Sequence, residues 1–499
     1  MLVRMENPAL RMSSAAGRWV LTITVLGSGI AALDATVVNI ALPTIGRQFH
    51  AGVSDLQWVI SGYTLALAAF LLIGGTLGDH FGRRRVFLIG IVWFALASAA
   101  CGFAPEVTFL IIMRIMQGIG AALLTPGSLA IIEASFVPGD RGRAIGAWSG
   151  LGGVTTAAGP LIGGYLITAS WRWIFFINLP VAAVVVLLSL RHLPESRDPT
   201  AAGRIDTAGA VTGVIFLSAL TYALIEAPAL GWTSPGVLTM LTATAAALVA
   251  FIARERTARS PMLPLGIFAE RQFTATNVVT FMVYAALTGA MFLLPTQLQV
   301  SWGYSPLASG AATLPVTLMM LALSARSGRL ASRIGPRLPM SAGPVVVAAG
   351  LALLTLSTHG STYVAHVLPG VIVFGLGLAI TVAPLTATAM SSAPAEHAGM
   401  ASAVNNDVAR FGGLLAIAVL PPLAGITGTA YLHPSQMAAG FRTAVLIAAG
   451  LCALGGILAA FAINNQALPA ARQPEARAGA ECLHCAFDGP PLRTGQLAS

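Results

Sequence analysis

"GTLGDHFGRRR", residues 75–85, returns later in the chain as "GRLASRIGPR", residues 328–337. Both copies read G-x-L-x-x-x-x-G-x-R, and what separates them decides the architecture. The 499 residues are 56% hydrophobic and only 9% charged, whereas a soluble domain carries about a quarter charged residues. Apolar blocks of ~20 residues, long enough to cross a ~30 Å hydrocarbon core, recur along almost the whole length. Punctuation by Pro, Gly and Arg divides them into fourteen candidate spans. The first copy follows span two and the second follows span ten. Two fused six-helix halves would put the copies six spans apart, but they are eight apart. The simplest account is an all-α membrane protein with an extra helix pair between two repeated halves, an internal repetition typical of secondary transporters. The expected divisions are an N-terminal segment 1–18, a first six-helix half 19–190, an inserted pair with its linkers 191–272, a second half 273–463 and a polar, disordered tail 464–499.

The basic residues orient this arrangement. All 27 are arginine, and the net charge is +9. Nearly all fall in alternate loops that share a side with both termini. Only Arg47, Arg172 and Arg442 lie in the opposite loops, and Arg114 and Arg410 lie inside spans. That bias places both termini in the cytoplasm. It also explains the positive charge without nucleic acid, because the arginines are spread over short loops rather than gathered in one patch. A phosphate-binding loop of the Walker type needs a lysine; with none, the chain is not the ATPase of a primary pump. No cofactor is expected, and the proton gradient is the expected energy source. The first apolar block reads as a true span rather than a cleavable leader. The tail carries "CLHC", Cys482 to Cys485, but a zinc site normally brings a second ligand pair and none is found; no metal is expected. H-E-x-x-H is absent too, and no other catalytic constellation stands out, so an enzyme is not expected.

Further motifs follow in order. Span four holds "RIMQGIGAA", with Arg114, Gln117, Gly118 and Gly120; span five holds Gly146, Gly159, Pro160, Gly163 and Gly164; "LDATVVNIALP" and "WRWIFFINLP" lie in spans one and six. Together with Gly75, Leu77, Asp79, Gly82, Arg83 and Arg84, these residues resemble the major facilitator superfamily, in particular its fourteen-span drug/proton antiporter branch. The resemblance covers about residues 15–465. It departs from the family pattern at His80, where a basic residue is usual, and at Thr155, where a glycine is expected. It implies that span five seals the interface between halves and that its glycine motif accompanies export. It further implies a gate in which an acidic residue near the end of span four, Glu133, latches Arg83. From the residues themselves, Asp79 is expected to face the positive N-terminus of span thirteen near residues 399–403.

Four acids lie inside apolar spans: Asp34, Glu133, Glu226 and Asp407. A charge at mid-membrane costs about 3 kcal/mol or more. Asp34 and Arg114 each lie about seven residues from the outer end of their spans, hence at one depth ~10 Å below the surface, given a rise of 1.5 Å per residue. An ion pair is geometrically open to them, either as a static buried pair or as a proton-coupling carboxylate whose proton affinity follows the charge beside it. Asp407 and Arg410 share a helix face and either neutralise each other or line a cavity, with Asp407 the second coupling candidate. Glu226, in the inserted pair, is expected to reach the membrane interface. Trp58, Tyr63, Asn405 and Asn406 are candidates to line a substrate path, the aromatics as a surface for a lipophilic cation or as interface anchors. The expected function is proton-coupled efflux of small amphiphilic, cationic molecules across the plasma membrane by alternating access, with protons and lipid as the other partners and no ATPase subunit. A proton-coupled permease for a defined metabolite, such as an amino acid or siderophore, is the alternative.

Overall fold

A computed structural model describes residues 10–197, 206–258, 263, 265–356, 362–392 and 398–465. The tail with its CLHC motif lies outside them. The described residues form long helices: α1 (Ala15–Phe49), α2 (Val53–Phe81), α3 (Arg83–Gly102), α4 (Val107–Ser135), α5 (Pro138–Ala169), α6 (Trp173–His192), α7 (Thr207–Leu230), α8 (Pro235–Thr257), α9 (Arg271–Ser301), α10 (Pro306–Ile334), α11 (Arg337–Leu354), α12 (Tyr363–Ser391), α13 (Ala398–Leu423) and α14 (Pro434–Ala462). Among the described residues, 12 helices are long and apolar enough to cross a membrane, or 13 if α2, bent by 47°, counts as one span. Fourteen were expected. The helix that falls short is α5, which has ample length at 32 residues but is diluted by nine glycines and a charged first turn.

The packing repeats. Among α1–α6, helix α4 packs on α2 and α3, α1 packs on α5 and α6, and α3 packs on α6; the same five pairings recur among α9–α14 with every number raised by eight. Small residues set these approaches, since helices in lipid associate through close van der Waals contact. A Cβ added to Gly118 would overlap the Tyr63 carbonyl on α2, and one added to Gly120 would lie 2.7 Å from the Phe94 nitrogen on α3. The two motif glycines of α4 therefore answer to two different neighbours. Helices α7 and α8 pack as a hairpin, and α7 also touches α2 and α13.

The repeated turn is built alike in both copies. Gly82 (φ +111°) and Gly335 (φ +86°) adopt a backbone that L-residues avoid. Each is crowded by one side chain from just beyond the sixth helix of its set: Glu195 at Gly82 and Asn465 at Gly335. Those side chains cap the next helix. Glu195 Oε1 accepts from the Arg84 amide at 3.1 Å and Asn465 Oδ1 from the Arg337 amide at 3.1 Å, satisfying helix-start donors that otherwise lack partners. The two arginines return the contact, donating to Leu190 O (2.9 Å) and Ala460 O (2.7 Å). Gly82→Ala and Gly335→Ala are each expected to destabilise the purified protein by about 1–3 kcal/mol. Gly78→Ala, a helical position in ordinary contact, is the control. Equal thermal midpoints in detergent for all three would show the turn to be unstrained.

The first and last six helices meet at the end of the bundle away from the described chain ends. There Gln57 Nε2 donates to Ile417 O (2.6 Å), Gln299 Nε2 to Ile40 O (2.9 Å), Tyr431 OH to Ala51 O (2.9 Å) and the Val53 amide to Gly428 O (2.8 Å). Among the described residues no hydrogen bond or ion pair joins the two sets at the opposite end. There, Gly146, Gly150 and Gly152 of α5 look into open space.

Candidate functional site

Asp34 on α1 and Arg114 on α4 form a salt bridge with both side chains fully buried. The pairing that their common depth permits is present. Gly118, one turn from Arg114, lets α4 approach α2 closely enough for Arg114 Nε to donate to Val59 O at 3.0 Å. Tyr63 lies under the guanidinium, 4.3 Å from ring centroid to Cζ. The other Asp34 oxygen accepts from Gln117 Nε2 (2.9 Å) and Asn178 Nδ2 (3.1 Å). Asn178 donates in turn to Ser98 Oγ (2.9 Å), whose hydroxyl is spent on Phe175 O. Five helices thus join one network around this carboxylate, with α4 and α6 bonding it directly. Dehydrating two ions costs several kcal/mol each, and such a pair persists only when the remaining lone pairs and protons are met. Asp34 is fully met. Arg114 is not: its Nη2 is buried without a hydrogen-bond partner.

Gln117, Asn178 and Ser98 are the members of this site that sequence reasoning missed. The first two stood within motifs, and their common signal was a polar side chain at the depth of Asp34 on another span. Ser98, small and common in apolar helices, carried no such signal.

Other candidates are placed differently. Trp58 turns toward α7, donating to Glu226 Oε1 at 2.8 Å with its ring 6.2 Å from that of Tyr222. Glu226 is therefore bound to α2. Tyr63 is buried, its hydroxyl donating to Ala31 O (3.1 Å). Asn405 is buried too, donating to Asn277 Oδ1 (3.1 Å) and Thr280 Oγ1 (2.7 Å) on α9. Of the four lining candidates, Asn406 alone is exposed, its amide folded back to Ser402 O. No salt bridge joins Asp407 and Arg410 among the described residues, and Asp407 Oδ1 is buried without a hydrogen-bond partner.

The expected Glu133–Arg83 latch is not formed either. Arg83 binds Asp79, one turn away, at 2.8 Å and donates to Ala130 O at 3.2 Å. With its donors engaged there, Glu133 is left exposed. Asp79 makes no bond to α13 among the described residues; the segment 393–397 lies outside them. Gly159, Pro160, Gly163 and Gly164 of the α5 motif sit at the joined end of the bundle, whereas Gly146 lies toward the unjoined end. Gly159 and Gly163 face α1 at Thr36 and Val37, Gly164 faces α10 at Leu307, and the Pro160 carbonyl abuts Gly310.

Residues 24–417 match the profile of the Major Facilitator Superfamily. The chain belongs to that superfamily. Multidrug resistance protein Stp of Mycobacterium tuberculosis is 38% identical over 416 residues, 83% of this chain and 77% of that protein. Puromycin resistance protein pur8 of Streptomyces alboniger is 37% identical over 462 residues, 90% of this chain and 92% of that one. The tetracenomycin C resistance and export protein of Streptomyces glaucescens is 37% identical over 404 residues, covering 80% and 74%. Among solved structures, a bacterial homologue of the human lysosomal transporter Spinster superposes with a TM-score of 0.66 at 16% identity, over 90% of this chain and 97% of that one. A POT family transporter in complex with a thioalcohol-conjugated peptide gives 0.67 at 12%, over 88% and 94%. These two share the fold. This Major Facilitator Superfamily member is a multi-pass membrane transporter, not an enzyme.

Proposed function

We propose that this superfamily member is a proton-coupled exporter of small amphiphilic, cationic molecules, of the fourteen-span drug/proton antiporter branch, working by alternating access in the plasma membrane. The observation that carries the reading is the fully buried Asp34 carboxylate, balanced by an arginine with one unsatisfied nitrogen. Protonation of Asp34 removes half of that balance, so the two protonation states favour different packings of α1 against α4. The relatives named for resistance to puromycin and for export of tetracenomycin C support small-molecule efflux. The unpartnered Asp407 oxygen supports a second acid that meets either a proton or a positively charged cargo. In this reading α1–α6 and α9–α14 are two halves, α7 and α8 are the inserted pair, and α5, though less apolar, is the fourteenth span.

Asp79, Gly82 and Arg83, with Glu133 beside them, form the gate at the unjoined end, which the arginine distribution assigns to the cytoplasm. The bundle described here is then the inward-open member of the cycle. The Glu133 contact belongs to the other member, in which the unjoined end closes. No cofactor takes part; the proton gradient drives exchange.

Energised inverted membrane vesicles containing the full chain test this. Cationic dyes and puromycin are expected to release protons from the vesicle interior only when the chain is present, and a protonophore is expected to stop dye accumulation. Accumulation that survives collapse of the proton gradient would overturn proton coupling.

A further inference from the structure

The two copies of the basic turn differ in one respect that their shared backbone conceals. In the first copy the carboxylate of Asp79 pairs with Arg83. Matching Gly75 to Gly328 and Gly82 to Gly335 puts Ser332 at the place of Asp79, Arg329 at that of Thr76 and Arg333 at that of His80. The second copy has gained cations and lost its acid. No aspartate or glutamate occurs anywhere between Glu270 and Glu396.

Arg326, Arg329 and Arg333 lie along one face of α10 at spacings of three and four, all exposed. None of the three pairs with a carboxylate among the described residues. Arg326 donates to Ala322 O at 2.8 Å. Arg337, the fourth arginine of this turn, is occupied by Ala460. Like charges at such spacings repel and destabilise a helix, so this face is incomplete without an anion. The three side chains and Leu330 line an open pocket of about 260 Å³.

We infer that this pocket holds the phosphodiester headgroup of an anionic glycerophospholipid. Guanidinium groups match phosphate oxygens in paired, charge-assisted hydrogen bonds. The pocket lies at the end of a membrane-spanning helix, the level of headgroups, where arginine stems run along apolar surface with the charge at the interface. The apolar wall decides between a lipid and a free anion. Leu330 lines the pocket itself, and Ile334 and Leu338 beside it are exposed. A free phosphate has no use for that surface, whereas the upper acyl chain of a lipid covers it.

The test is native mass spectrometry of the purified full chain released from nanodiscs of phosphatidylcholine doped with phosphatidylglycerol. The wild type is expected to retain phosphatidylglycerol selectively. The combined variant R326Q/R329Q/R333Q should lose that selectivity roughly a hundredfold at unchanged thermal midpoint, from about a factor of five per arginine at a charged membrane surface. Arg47→Gln, an exposed arginine at the other end of the bundle, should change nothing. Equal phosphatidylglycerol retention by the triple variant and the wild type would overturn the site. Displacement of the lipid by millimolar inorganic phosphate would overturn its assignment to a lipid.

Discussion

Asp34→Asn is expected to abolish dye-driven proton release while the chain still inserts and assembles. The amide keeps an oxygen for Gln117 and Asn178, but no longer exchanges a proton and no longer balances Arg114. Leaving one buried charge unmatched costs about 3–5 kcal/mol, so a lower thermal midpoint accompanies the loss of coupling. The double variant Asp34→Asn/Arg114→Gln separates the two effects. It removes both charges and is expected to recover much of the midpoint, a coupling energy that a double-mutant cycle reads directly, while export stays absent. Asp34→Glu keeps a titrating group in shifted geometry and is expected to retain part of the activity. Wild-type proton release in Asp34→Asn would make this pair a structural brace and move coupling to Asp407.

Gly310→Leu is expected to stop transport by a different route. Even a Cβ at this position would overlap the Pro160 carbonyl of α5, and backbone does not yield as a side-chain tip does. Overpacking of this kind costs about 1–3 kcal/mol or more, enough to shift a two-state balance tenfold or beyond. The strain falls where the two sets of helices meet, so it is relieved by parting them there. Ala418→Cys, buried at the same joined end where α13 meets α2 beside Gln57, is expected to become reactive to a membrane-impermeant thiol reagent in the Gly310→Leu background. Gly450→Ala, at an exposed position on α14 with no neighbour near its Cβ, serves as the control. Unchanged reactivity at position 418 would show that the seam accommodates the side chain without opening.

Depth was legible in the sequence and rotation was not. Asp34 and Arg114 could be paired because both were counted from the same end of their spans, and 1.5 Å per residue converts a count into a height. Which way a side chain points depends on neighbours that no local pattern names. Trp58 and Tyr63 are five residues apart, so they occupy different faces of α2. One meets the α7 hairpin and the other meets Arg114. Neither α7 nor α4 could be set against α2 without the packed bundle. Arg83 illustrates a second limit: its alternatives included a backbone carbonyl, that of Ala130, and carbonyls carry no mark in a sequence. Helix α5 falls short of the apolar criterion for a third reason. Glycine contributes length and close contact but little hydropathy, so a helix built to touch α1 and α10 scores below its neighbours.

The α7–α8 hairpin has a consequence for how the amphiphilic cargo proposed above arrives. The two sets of helices pack against each other on opposite flanks, α2 on α13 and α5 on α10. Helix α7 straddles the first. It is fastened to α2 through Glu226 and Trp58 and to α13 through Phe216, whose ring lies 6.2 Å from that of Phe411. Among the described residues neither helix of the hairpin packs on α5 or α10. A molecule dissolved in the bilayer therefore finds one doorway bricked up and the other merely shut. Two otherwise equivalent sides have become a front and a back.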